Sequence, residues 1–192
     1  MDINCSQLVK YLEDKKYALS REFNGKAGKI NVIGVRKKDS RVNRFDDTIA
    51  IAWQDKTKWN VKTYAATTRP GLYWLNNLLN PKGSAILVPG QYVNSFRLGE
   101  FKGAKALKQF RDLTVYRDKN KDSKFDIDPS TVEQGQFGIH IHGTKGSPEF
   151  VGRWSGGCQV IQKEAEYKNF LAHIEESAKI YGELFTYTLI VI

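Results

Sequence analysis

Two of the three histidines and one of the two cysteines fall in a single stretch, FGIHIHGTKGSPEFVGRWSGGCQVIQ, from Phe137 to Gln162. A thiolate is a strong nucleophile, and a neighbouring imidazole can produce it by taking the thiol proton. Cys158 is preceded by Ser155, Gly156 and Gly157. Glycines allow a tight turn and leave amide N–H groups bare, and bare amides beside a nucleophile can hold an oxyanion. Upstream, Phe137 to Ile141 reads as a strand, with Ile139 and Ile141 on one face and His140 and His142 on the other. Gly143 is expected to break that strand, which puts His142 at its end as the base and makes His140 a same-face neighbour, either one that tunes or relays the proton or, as is commoner, simply a hydrogen-bonded residue. A lone cysteine is more often a small buried apolar residue, and a strand histidine a satisfied polar one. The residues alone therefore leave a Cys–His enzyme and a binding module both open.

The elements that must carry this stretch are mostly short and β-rich. Ser6 is the expected N-cap of an amphipathic helix reaching about Tyr17, with Leu8, Val9, Tyr11 and Leu12 at helical spacing. Strands are expected at INVIGV (30–35), TIAIAW (48–53), WNVKTYAA (59–66), LYWL (72–75), AILV (85–88) and LTVYR (113–117). A short helical turn is expected within 103–110. After Cys158 the pattern changes: Tyr167, Phe170, Leu171, Ile174, Ala178 and Tyr181 recur at helical spacing, and Gly182 is a stop signal. His173 falls on this helix and is expected at the surface. FTYTLIVI (185–192) then ends the chain as a strand. Short strands between Gly, Pro and Asn turns predict a mainly β fold, a sandwich or barrel rather than a βαβ design.

At 192 residues, one domain over 1–192 is the simplest division. No stretch approaches the roughly 18 apolar residues of a transmembrane helix. The N-terminus lacks a basic region followed by an apolar core, so no signal peptide is expected. The formal charge of +9 favours acidic partners, but no zinc knuckle, RNP box or KH loop assigns it to nucleic acid. Cys5 and Cys158 are the only cysteines, which does not suggest a disulfide framework. In a separate loop, Asp118, Asn120, Asp122 and Asp126 space oxygen ligands as a calcium loop does, with Asp128 beyond them. Ser123 stands where such loops carry glycine and Pro129 where they carry glutamate. A structural Ca²⁺ is one expectation for this loop, and an ordinary polar turn the other.

IHGT followed by SGGC resembles the signature of the L,D-transpeptidase catalytic domain family, at His142, Gly143 and Thr144, then Ser155, Gly157 and Cys158. TTRPGLY, with Pro70, Gly71 and Tyr73, looks like a variant of the family's turn before the site, and the closing helix and strand agree. The resemblance covers roughly 59–192, which leaves 1–58 as an N-terminal extension. It implies an L,D-transpeptidase-like β-sandwich with a short N-terminal helix and a late helix before the C-terminal strand. It also implies a cysteine enzyme acting on peptidoglycan stem peptides through a thioacyl-enzyme, with no required cofactor. Cys158 would be the nucleophile and His142 the base. The Gly143 carbonyl would orient the imidazole, and the amides of Gly157 and Cys158 would hold the oxyanion. Gly156 replaces a histidine often found in the family, and Val160 an arginine. Arg153 is the expected substitute for that charge, with Trp154 as a lid or a packing residue.

Transpeptidase, carboxypeptidase and endopeptidase outcomes all follow from one acyl-enzyme. Without a signal peptide, the enzyme would be made in the cytoplasm and reach the wall or periplasm by lysis or a secretion apparatus, as a phage or effector enzyme does. A non-catalytic wall-binding module of the same fold, and a cytoplasmic cysteine amidohydrolase, are the competing expectations.

Overall fold

The computed structural model describes residues 4–192. In chain order its elements are α1 (Cys5–Asp14), β1 (Asn31–Arg36), β2 (Asp47–Asp55), β3 (Lys58–Thr67), α2 (Leu72–Asn76), β4 (Ser84–Leu87), β5 (Gly90–Phe101), β6 (Ala104–Gln109), β7 (Leu113–Asp118), a 3₁₀ turn (Pro129–Thr131), β8 (Glu133–Gly135), β9 (Ile141–Gly143), β10 (Gln159–Ile161), α3 (Glu164–Tyr181) and β11 (Leu184–Val191).

The fold is mainly β, but its main body is a closed barrel and not a sandwich. The strand order around it is β1-β11-β5-β6-β9-β10-β3-β2, and β4-β7-β8 form a separate small sheet. Closure depends on two parallel pairings, β1 with β11 and β9 with β10, and on the single register contact Leu107–Ile141 between β6 and β9. Alternation along a strand specifies which face is buried; it does not specify which edges meet. The described part of the segment 1–58 supplies β1 and β2, which sit between β11 and β3 inside the barrel order. It is therefore integral to the barrel.

Every residue of β1 is buried. One face joins the inner cluster through Val32, with Ile49, Phe96, Leu107, Ile141 and Tyr187. The other face, Ile33 and Val35, is covered by Leu8 and Leu12 of α1. α3 sends Tyr167, Phe170 and Ile174 into the same inner cluster, to which the small sheet adds Ala85, Leu87, Leu113 and Val115. Gly182, at φ 87°, ends α3 as its sequence requires.

Several local expectations are corrected. Asn4, and not Ser6, caps α1, its side chain accepting the Ser6 N–H at 3.0 Å. LYWL is the helix α2: only Leu75 is buried, so the β-prone aromatics had no sheet to join. Residues 104–109 are the strand β6, paired antiparallel with β5 across a two-residue turn, Lys102 (φ 51°) and Gly103 (φ 76°). Both central residues at positive φ make this a type I′ hairpin. β5, at 12 residues the longest strand, was outside the expected set. Strand β9 begins only at Ile141 and contains Gly143, so His142 lies within the strand and not at its end.

Candidate active site

β9 and β10 run parallel with Gln159 opposite Ile141, Val160 opposite His142 and Ile161 opposite Gly143. Ile139, Ile141 and Ile161 belong to the inner cluster. The alternate residues, His140, His142 and Cys158, therefore face outward together. The His140 N–H points at the Cys158 sulfur at 3.4 Å, and the Gln159 N–H donates to the His140 carbonyl at 2.9 Å. These two contacts place the thiol beside β9. Cys158 and His142 both line a groove of about 690 Å³, with Trp74, Phe101, Phe137 and Leu171 among its apolar walls. Lys102, Lys145 and Arg153 also line it.

His142 Nδ1 lies 2.9 Å from the Gly143 carbonyl. A carbonyl only accepts, so Nδ1 carries the proton and Nε2 is left with the lone pair that a base needs. Burial holds the His142 pKa below the ordinary imidazole value; the Gly143 and Trp154 carbonyls oppose this, and the Lys102 charge adds to it. Burial pushes the Cys158 thiol up, against the lowering influence of the His140 N–H and Lys102. The resting pair is thus a neutral thiol and a neutral imidazole, which suits proton transfer during attack better than a standing ion pair.

Gly143 is fixed by packing: a Cβ there would lie 2.3 Å from Cγ of Tyr167 on α3. Ser155 is fully buried; its hydroxyl donates to the Cys158 carbonyl at 2.7 Å and accepts the Gly157 N–H at 3.1 Å. Of the two amides expected at the oxyanion, that of Gly157 is therefore engaged. The Cys158 N–H has no acceptor among the described residues. The Thr144 hydroxyl donates to the Gln162 carbonyl, closing the start of the loop 144–158. Trp154 is 37 % exposed on the groove wall. The Arg153 guanidinium lies over Tyr73 at 3.9 Å, and its carbonyl accepts the Trp74 indole N–H at 3.0 Å. Val160 is fully buried against Phe45 and Val151.

His140 is placed as a fastener. Its Nδ1 accepts the Gln109 N–H at 3.1 Å, and Phe101 meets its ring edge-on at 4.5 Å. Burial first, then the His142 and Lys108 charges, push its pKa down to about 4, so the ring is neutral and its Nδ1 can serve as an acceptor. It replaces a ladder bond where β6 and β9 part. The Gln109 side chain holds the segment leading to it, its oxygen accepting from Phe137 N–H (2.9 Å) and Ile139 N–H (3.2 Å).

Sequence reasoning missed Phe101, Lys102, Gln109 and Asn43. Asn43 accepts the Gly152 N–H at 2.6 Å and so pins the loop before the cysteine. Lys102-Gly103 between two alternating runs was a hairpin signal for the first two. Gln109 and Asn43 carry no signal in a single sequence.

In the acidic loop, Asp118 accepts the Asp126 N–H at 3.1 Å, Asn120 donates to the Asp126 carboxylate, and Asp122 accepts the Lys124 N–H at 2.9 Å. The expected ligand residues thus hold the loop's own groups. Among the described residues no cluster of three or more His, Cys, Asp or Glu is arranged to hold a metal. Cys5 is the first residue of α1 and is absent from the groove lining, its thiol directed at the Trp59 carbonyl at 3.4 Å. His173 is half-buried and stacked on Trp53 at 5.3 Å. No helix among the described residues is long and apolar enough to cross a membrane.

Comparison with protein-family models, curated proteins and solved structures finds no match to this chain.

Proposed function

We propose that this protein is a cysteine acyltransferase or peptidase acting on peptidoglycan stem peptides through a thioacyl-enzyme. One observation carries the reading: His142 on β9 and Cys158, immediately before the parallel strand β10, open into the same groove, and the Gly143 carbonyl holds His142 Nδ1 so that Nε2 is the free base. In the first step the Cys158 sulfur bonds to the substrate carbonyl carbon while its proton passes to His142 Nε2. The carbonyl π electrons move to oxygen, and the Cys158 N–H can donate a hydrogen bond to the resulting oxyanion. Collapse breaks the C–N bond, and the leaving amine takes the proton from His142. An incoming amine or water then attacks the thioester, gives a proton to His142, and the sulfur leaves as the thiol.

The substrate class comes from the sequence resemblance, and the groove's charge agrees with it. Lys102, Lys145 and Arg153 form no ion pair among the described residues, whereas Lys105 and Lys168 pair with Glu175 and Glu164. A peptide rich in free carboxylates fits an apolar groove lined by three cations without an ion-pair partner, although Glu164, also on the groove, lies within electrostatic reach of Lys145.

Purified muropeptides incubated with the protein and resolved by mass spectrometry test this reading. Loss of a terminal residue or of a cross-link is expected, with D-amino-acid exchange where transfer outruns hydrolysis. Cys158→Ala should lower the rate by at least about a thousandfold. Full activity in that variant would refute the nucleophile; unchanged muropeptides with the wild-type chain would refute the substrate class.

A further inference from the structure

Gln159 and Tyr187 form a buried pair that no step above uses. The Tyr187 hydroxyl donates to Gln159 Oε1 at 2.9 Å, and Gln159 Nε2 donates to the Gly157 carbonyl at 3.0 Å. Both side chains are fully buried. Room for the tyrosine hydroxyl exists because position 34 is glycine; a Cβ there would lie 1.9 Å from it. A core of this kind usually places apolar residues at such positions, since each buried polar group must be matched.

The Gly157–Cys158 peptide is trans, so its carbonyl and its N–H point in opposite directions. Gln159 draws the Gly157 carbonyl into the core, and the Cys158 N–H is thereby turned away from it. That N–H is the amide with no acceptor among the described residues. Gly157 sits at φ +132°, a region only glycine enters easily, and a Cβ there would lie 2.7 Å from the Ala85 carbonyl, so no side chain is available at 157 to help fix this peptide. A second tether, from Ser155 Oγ to the Gly157 N–H, fixes the other end of the same residue.

We infer that Tyr187 and Gln159 are positioning residues that hold the Cys158 amide as the oxyanion donor of the groove. This rests on the cysteine-enzyme reading, and it locates part of the catalytic apparatus in the barrel interior, two side chains removed from the substrate.

The test uses the full chain and two variants, Tyr187→Phe and Gln159→Leu. The probe is N-acetyl-norleucinal, an aldehyde that adds to Cys158. The sulfur–carbon bond forms, the carbonyl π pair moves to oxygen, and the thiol proton ends on that oxygen, which then occupies the proposed hole. Iodoacetamide alkylation reports the thiol without needing the hole. Aldehyde affinity is expected to fall about tenfold in both variants, with alkylation within about twofold of wild type. On muropeptides, kcat should fall about tenfold with KM little changed. Unchanged aldehyde affinity overturns the inference, as does a parallel fall in alkylation, which marks a structural role. If Gln159→Leu does not fold, Tyr187→Phe alone decides. A wild-type chain that binds the aldehyde yet leaves muropeptides intact refutes the substrate and leaves the relay standing. A wild-type chain that is alkylated but binds no aldehyde has no hole, and the relay falls.

Discussion

A half-buried thiol on an apolar groove and a buried imidazole both resist charge. Burial raises the Cys158 pKa and lowers that of His142, so each group favours its neutral form around pH 7. Lys102, at the tip of the β5–β6 hairpin, is the one side-chain charge acting on both, and it pulls both pKa values down. Alkylation of Cys158 by iodoacetamide should therefore rise with pH to a midpoint above that of a free cysteine, about 8.5. Lys102→Gln should move the midpoint higher still, because a charge that favours the thiolate is gone. A midpoint below the free-cysteine value would mean that the thiolate is formed at rest and that the neutral-pair account is wrong.

The site's geometry is set where α3 meets β9. Tyr167 packs across Gly143, and its hydroxyl donates to the Lys105 carbonyl at 2.7 Å, so the ring is held at both ends. A methyl group at position 143 has no place to go, because both the strand and the helix are anchored. Gly143→Ala should cost about 2–3 kcal/mol, as overpacked sites do. For a chain of this size that lowers the melting temperature by roughly 5–10 °C. Calorimetry checks the stability term. The carbonyl that orients His142 is on the same residue, so activity should fall further than the folded fraction does. Equal losses of folding and activity would show that Gly143 serves packing alone. At this scale the late helix was legible from its apolar spacing and its glycine stop. β5 was not, because Asn94, Arg97 and Gly99 interrupt its apolar pattern and one of its two partners, β11, lies at the far end of the chain.

Across the whole molecule, acid stability follows from burying histidines in the barrel wall. His140 has a folded pKa of about 4 against an ordinary value of 6.5. Below pH 6.5 the unfolded chain takes up a proton that the folded chain refuses, so stability falls as pH drops towards 4; above 6.5 the effect is absent. The loss for His140 is on the order of 3 kcal/mol, and His142, shifted in the same direction, adds to it. Urea midpoints at pH 7.5 and 4.5 measure this. His140→Gln, which keeps an acceptor for the Gln109 amide, should show a markedly smaller drop between the two. Parallel drops in the two proteins would place the acid sensitivity elsewhere.

The sequence by itself determined the local chemistry: a thiol behind two glycines, two histidines at alternate positions, a mainly β chain with one long late helix. Each of these depends on residues close in sequence, where backbone periodicity and side-chain type decide the outcome. Only the tertiary structure decided that the strands close into a barrel, because closure requires the first and last strands, β1 and β11, to pair in parallel across the length of the chain. It alone brought Phe101, Lys102 and Gln109 to the histidines. It also separated the glycine amide bound by Ser155 from the cysteine amide left open, and placed Tyr187 and Gln159 behind that amide. Those relations are contacts between distant segments, and a side chain's type does not state which distant partner will satisfy it.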